Sequence, residues 1–409
     1  MSLKKTEAWI LNNYYLLLIL GYFLNVFTAF RPGVFILLMN GILILCRCFS
    51  IGIEKKIHFN LIFLLALYQT LSFIFFLTQD NGISVYINSL IYVVTPIACS
   101  LSSTNPLVDK DKFYKNYIFA ISANNIFGIP CFYLKPQFFV DFISRTNSFG
   151  LEQVLHVAGY GRLITLFGSI ETGVLSAIAA LLAILMIRKE HSKLRLIISI
   201  IINLAALILT QQRGSLAAFF VFFLALLIDS EVKKERLIKP STILFIVSIV
   251  VAVFAVLAHY KPVVLDWIIT RITNPAAAFT QRNDYQWEVV AKDTNIIQWI
   301  FGRGLGSRGF FVENNDIYHR IFDNMYYNIL AETGIIGLIL FLGIIFNCTQ
   351  KTLSKMSING MYAVAIFIIC VQGLGTTMIY YPQIMAIFWF SVGMIYHFRV
   401  SESNERIEE

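Results

Sequence analysis

Charge is scarce in this chain of 409 residues: 14% are Asp, Glu, Lys or Arg, against about 25% in an ordinary globular domain. So few charges cannot clothe a water-facing surface, which excludes a soluble globular protein. Long polar stretches are scarcer still, and one dominates, from about His259 to Leu338. The six cysteines (Cys46, Cys48, Cys99, Cys131, Cys348 and Cys370) all lie in or beside apolar runs and none falls in that polar interval. No disulfide framework or zinc site is therefore implied. The six histidines are scattered, with no HExxH or comparable ligand spacing, so neither a metal nor another cofactor is expected. The alternating ten-residue strands of a membrane barrel are also missing. No small-residue cleavage pattern follows the apolar run after MSLKKTEAW, so that run is expected to remain as the first span.

What the chain has is apolar length. It is 57% hydrophobic, with a mean hydropathy of +0.71, and runs of roughly 17–25 apolar residues recur along it, enough to cross a hydrocarbon core. The expected fold is all-α and polytopic, with about 12 transmembrane helices. They fall near 10–30, 33–50, 60–79, 85–104, 117–134, 164–187, 196–211, 215–229, 241–259, 326–346, 359–378 and 382–398. With the N-terminus inside, the cytoplasmic segments carry 20 of the 32 basic residues. That asymmetry places both termini in the cytoplasm and the long loop, residues 260–325, outside. A second outward loop spans 135–163. The whole chain reads as a single integral membrane domain, 1–409. The long loop carries seven basic and seven acidic residues; it is locally neutral, and no nucleic-acid partner is expected.

Several residues stand where chemistry could occur. Arg213, in TQQRGSLAAF, sits at a tight turn between two short apolar runs. A guanidinium there either snorkels to the interface or faces a polar cavity, where it can grip a phosphate with two parallel hydrogen bonds. Arg282, in QRNDYQW, shares a short segment with Trp287 that reads equally as an interfacial anchor. Arg162 is a third outward arginine, and Glu171, expected two turns into the following span, is a carboxylate able to pair with one. FGRGLGS (Phe301 to Ser307) lacks the GK[ST] ending of a nucleotide loop; its glycines suit a tight turn against a ligand or the membrane surface. Asp323 and Asn324 precede the tenth expected span, and Glu332 lies about two turns into it. Asp323 is either a helix cap or a general base, and His319 is a nearby alternative base.

The order of these pieces resembles the O-antigen polymerase (Wzy) and O-antigen ligase (WaaL) superfamily of bacterial inner-membrane proteins. The pieces are TQQRGSLAAF, QRNDYQW, FGRGLGS and DNMYYNILAETGIIGLILFL, and they cover the second half of the chain. The resemblance implies a GT-C-like glycosyltransferase working at the periplasmic face of the inner membrane on undecaprenyl-diphosphate-linked O-units, as donor and as acceptor. It implies that Arg213 and Arg282 bind the lipid diphosphate, with Arg162 as a third. Asp323 would act as base, with Trp287, His319, Asn324 and Glu332 near the substrate. Membrane lipid and a chain-length regulator protein are the partners it implies.

Ligase-like sequences carry a His-Asn pair before the re-entering span, where this chain has Asp323-Asn324, so the resemblance favours the polymerase. His319, four residues earlier, keeps the ligase reading open. A flippase for the same lipid-linked sugars is the non-enzymatic rival; the long outer loop and the lack of an internal repeat speak against it.

Overall fold

A computed structural model describes residues 2–28, 32–51, 61–77, 82–146, 161–187, 193–232, 284–291, 294–309, 323–354 and 356–408, with four single positions between 248 and 259. Among them the regular structure is helical, and no strand occurs. The protein is an α-helical polytopic membrane protein. Among the described residues, four helices are long and apolar enough to span: Ile83–Ser102, Lys110–Leu134, Ser169–Met186 and Met325–Thr352. Leu3–Asn12 and Tyr14–Phe27, interrupted at Asn13, make a fifth if taken as one span. Other expected spans correspond to shorter apolar helices, among them Gly33–Phe49, Leu61–Phe76 and Pro382–Tyr396. Among the described residues, length and apolarity thus carry four or five spans, and the twelve expected are not reached there. The expected span 241–259 falls almost wholly outside the described residues.

The membrane character shows on the helix surfaces. Ile335, Ile339, Leu342 and Phe346 recur at intervals of four, three and four along Met325–Ser354, and all are exposed. One stripe of that helix therefore faces outward and is apolar, the reverse of a water-facing helix. Polar side chains are buried instead.

The chain forms two compact units, residues 1–12, 36–109 and 278–409 in one and 13–35 and 110–277 in the other. In the second unit, Ser169–Met186 packs against Lys193–Leu209 and Lys110–Leu134. Its sequence, SIETGVLSAIAALLAILM, is apolar all round and rich in Ala, Gly and Ser, which lets neighbouring backbones approach. Asparagines tie these helices together. The Asn125 amide donates to Ser176 Oγ and to Asn203 Oδ1, both at 2.9 Å, and Asn203 donates to Ser122 Oγ at 2.8 Å and to the Ser199 carbonyl at 2.7 Å.

Beside them, the helix expected from residue 164 begins only at Ser169. Asn124 is the reason: it donates to Thr165 Oγ1 at 2.7 Å and accepts from the Leu166 N–H at 3.2 Å, holding this stretch out of the helix. Glu171 consequently stands in the first helical turn rather than two turns in. A carboxylate there complements the positive helix terminus.

The stretch 135–163, expected as a second outward loop, contains the helix Gln137–Thr146, which buries Phe139, Phe142 and Ile143. Its Arg145 donates to the carbonyls of Thr28, Asn25 and Val26 at 3.2, 3.3 and 3.1 Å, closing the C-terminal end of Tyr14–Phe27.

Asn203 is the node of the buried network. Asn203→Ala should cost about 1–3 kcal/mol, because its buried partners lose their hydrogen bonds. A lowered thermal midpoint of the detergent-solubilised protein is expected; an unchanged midpoint would show the network to be dispensable.

Candidate functional site

In the first unit the glycine-rich segment meets a break in a membrane helix. Met325–Ser354 loses helical geometry at Gly334, with φ 64° and ψ −171°. A continuous helix would commit its carbonyls to its own next turn. Here the Ala331 carbonyl accepts from the Arg303 N–H at 3.0 Å and the Glu332 carbonyl from the Gly304 N–H at 2.9 Å. Two glycines permit this approach. Gly302 has φ 82°, and a Cβ there would strike the Glu332 carbonyl; a Cβ at Gly334 would strike the Ile300 carbonyl. Both the left-handed conformation and the lack of space demand glycine.

The other side of the segment is held by Leu61–Leu71 and the residues after it. Tyr68 Oη lies 2.9 Å from the Phe301 carbonyl and 3.0 Å from the Thr333 carbonyl, spanning the junction. Ser72 Oγ accepts from the Leu305 N–H at 3.0 Å, and the Phe75 and Phe301 rings stack at 5.3 Å. The FGRGLGS segment was expected to turn against a ligand or the membrane surface. It is instead buried from Gly302 to Ser307, against protein backbone.

Glu332 lies beneath this segment with no exposed surface. The Tyr380 hydroxyl donates to its carboxylate, 2.6 and 2.7 Å from the two oxygens, and the Arg308 N–H and Asn328 amide approach at 3.4 and 3.5 Å. Burial first, and then the neighbouring Glu332, push the Tyr380 phenol well above its ordinary range, so it stays a protonated donor. These contacts make Glu332 an internal tie for the 301–309 segment. Tyr380, 48 positions away, carries no motif that announces it.

At the start of the same helix Asn324 is the cap. Its Oδ1 accepts from the Tyr326 and Tyr327 N–H groups at 2.9 and 3.1 Å. Capping was one of two roles open to Asp323, and the neighbouring asparagine performs it. The Asp323 N–H points to Gln286 Oε1 at 3.4 Å, which ties this entrance to the helical residues 284–291. Trp287 of that helix is 44% exposed, with ring centroids 5.7 Å from Trp299 and 5.5 Å from Tyr327. Beneath lie Val289, Val290 and Ala331.

Asp323, Asn324, Trp287 and Glu332 thus belong to one unit. Arg162 and Arg213 belong to the other. There the Leu163 N–H donates to the Leu209 carbonyl at 3.0 Å. That bond sets the backbone beside Arg162 against the end of Lys193–Leu209, just before the Thr210–Gln212 turn that leads into Arg213. Both arginines are partly exposed. The turn contains Gln211 with φ 57°, and Gln212 packs where a Gly173 side chain would stand. Arg282 and His319 lie outside the described residues.

The family described as O-antigen ligase (Wzy_C) matches residues 198–342. The matched stretch runs from Lys193–Leu209 through Arg213 and the glycine-rich segment to the broken helix. No curated protein matches this sequence.

The glycine contact can be tested within one helix. Gly334→Ala should cost about 1–3 kcal/mol from backbone strain alone. Gly343→Ala, whose added Cβ meets only Leu61 at an ordinary 3.5 Å, should be neutral or stabilising by up to about 1 kcal/mol. Thermal melts of the two variants decide the matter, and equal behaviour would contradict the account.

Proposed function

We propose that this protein is an O-antigen-type polymerase, a GT-C-like glycosyltransferase that joins undecaprenyl-diphosphate-linked repeat units at the periplasmic face of a bacterial inner membrane. The match over residues 198–342 supports the coarser part of this reading, a membrane enzyme that handles O-antigen-type glycans. In the same reading about 12 helices span the membrane, both termini are cytoplasmic, and residues 260–325 form the large periplasmic loop; the distribution of basic residues supports this arrangement.

The reaction follows from the chemistry of the donor. The acceptor sugar hydroxyl attacks the anomeric carbon of the donor glycan. A new glycosidic C–O bond forms as the bond from the anomeric carbon to the phosphate oxygen breaks, and the electron pair leaves with the lipid diphosphate. The hydroxyl proton passes to Asp323. Arg213 and Arg282, with Arg162 as the third cation, offset the charge on the departing diphosphate, the electrostatic contribution expected to be largest in such a transfer. Glu332 acts from inside, by holding the 301–309 segment in place. Asn324 orients the helix entrance beside Asp323.

A second reading is the ligase, which transfers the finished glycan to lipid A-core. It is favoured by the description of the matched family. The polymerase reading rests on Asp323-Asn324 standing where ligase-like chains have His-Asn. A deletion strain tests the polymerase reading on a lipopolysaccharide gel: a core bearing a single repeat unit is the polymerase result, and a bare core is the ligase or flippase result.

Arg213→Ala and Arg282→Ala should each abolish the polymer ladder while protein abundance stays at the wild-type level. Normal ladders from both would remove the diphosphate assignment. Because Asn324 supplies the cap, Asp323→Asn leaves the cap in place and removes the base, and should lower polymer formation about 10²-fold or more. A full ladder from that variant would leave Asp323 without a catalytic part.

A further inference from the structure

The helical residues 284–291 divide cleanly by burial. Gln286, Val289 and Val290 turn inward, and Tyr285 packs partly against the same cluster. Asp284, Trp287, Glu288 and Ala291 form the outward stripe, at the three- and four-residue spacing of one helical face. On that stripe a tryptophan stands next to two exposed carboxylates. Trp299 and Tyr327 flank its ring at 5.7 and 5.5 Å and support it from their own helices. Trp299 is further steadied by a reciprocal cap at its helix start, where Asn295 accepts from the Gln298 N–H and Gln298 returns the bond.

An exposed tryptophan near a membrane has two ordinary uses, anchoring in the headgroup region and supplying a flat apolar surface to a ligand. The charges on the described stripe, Asp284 and Glu288, discriminate between them, while Arg282 and Lys292 lie outside the described residues. A headgroup anchor is accompanied by cations that favour anionic lipid, whereas Asp284 and Glu288 would be repelled by it. Carboxylates are instead pure acceptors, suited to hydroxyl groups that must donate. A flat apolar ring beside two such acceptors matches a pyranose, which presents C–H bonds on one face and hydroxyls around its rim.

We infer that Trp287, with Asp284 and Glu288, forms a binding subsite for a neutral or N-acetylated pyranose of the acceptor glycan; this rests on the glycosyltransferase reading and names the sugar class which that site receives. The Trp287 ring takes the C–H face, and the two carboxylates accept hydrogen bonds from rim hydroxyls. The Gln286 contact to the Asp323 backbone connects the subsite to the entrance where the acceptor hydroxyl would lose its proton. Uronic acids are selected against, since their carboxylate would face two others.

Saturation-transfer NMR on the purified full-length protein tests this, with the methyl glycosides of glucose, galactose, N-acetylglucosamine and glucuronic acid as probes. The expected result is transfer to ring C–H protons of at least one neutral glycoside, with binding to the glucuronide weaker by about tenfold or more. Trp287→Ala should abolish that transfer and Trp287→Phe should retain it. Asp284→Asn combined with Glu288→Gln, both on the exposed stripe, should narrow the gap between neutral sugar and glucuronide. No transfer to any probe, or equal transfer to glucuronide and neutral sugar in the wild type, overturns the assignment. So does a Trp287-dependent fluorescence blue shift on anionic phospholipid vesicles without sugar binding, which is the behaviour of a membrane anchor. The wider reading fails separately, through normal ladders from Arg213→Ala and Arg282→Ala, whatever the sugars do.

Discussion

The first unit depends on one backbone contact, the approach of Gly302 to Gly334. A membrane helix must satisfy its backbone groups, and a break frees carbonyls that lipid cannot solvate. The segment at 301–309 supplies the missing N–H groups from Arg303 and Gly304. The break and the segment therefore require one another. Nearby, Glu332 is held under the segment by Tyr380, and Asn324 caps the helix that the break interrupts about three turns later.

The second unit meets the same constraint by other means. Asn124 withholds residues 163–167 from the helix and bonds the Thr165 hydroxyl and the Leu166 N–H with its side chain. Asn125 and Asn203 join three helices through amide and hydroxyl bonds. In both units the polar groups are spent inside while apolar stripes such as Ile335, Ile339, Leu342 and Phe346 face outward. The arrangement suits a protein whose surroundings are lipid and whose chemistry needs polar groups at defined points.

Much of this was legible in the sequence, because apolar run length is a direct consequence of bilayer thickness. The helical class follows from it, and so do most helix positions. The breaks were not legible. Ile164, Leu166 and Phe167 read as the start of an apolar span, and only a tertiary contact from Asn124 shows otherwise. The long loop reads as a polar interval outside the membrane, yet its glycine-rich part is buried, since glycine carries no polarity signal of its own. At the candidate site, sequence order singled out Asp323 and Asn324 as a pair but not which of them caps the helix. Either side chain can accept those N–H groups, and geometry decided for Asn324. Tyr380 was invisible, because its pairing with Glu332 is made by the return of the chain through a later helix.

The proposed reaction makes glycosidic bonds between lipid-linked repeat units. Its most direct test is reconstitution of the purified protein in liposomes with undecaprenyl-diphosphate-linked repeat units as the sole glycan. The account predicts a ladder of polymers, with one undecaprenyl diphosphate released for each bond formed. Intact substrate, both alone and after addition of lipid A-core as acceptor, would contradict it.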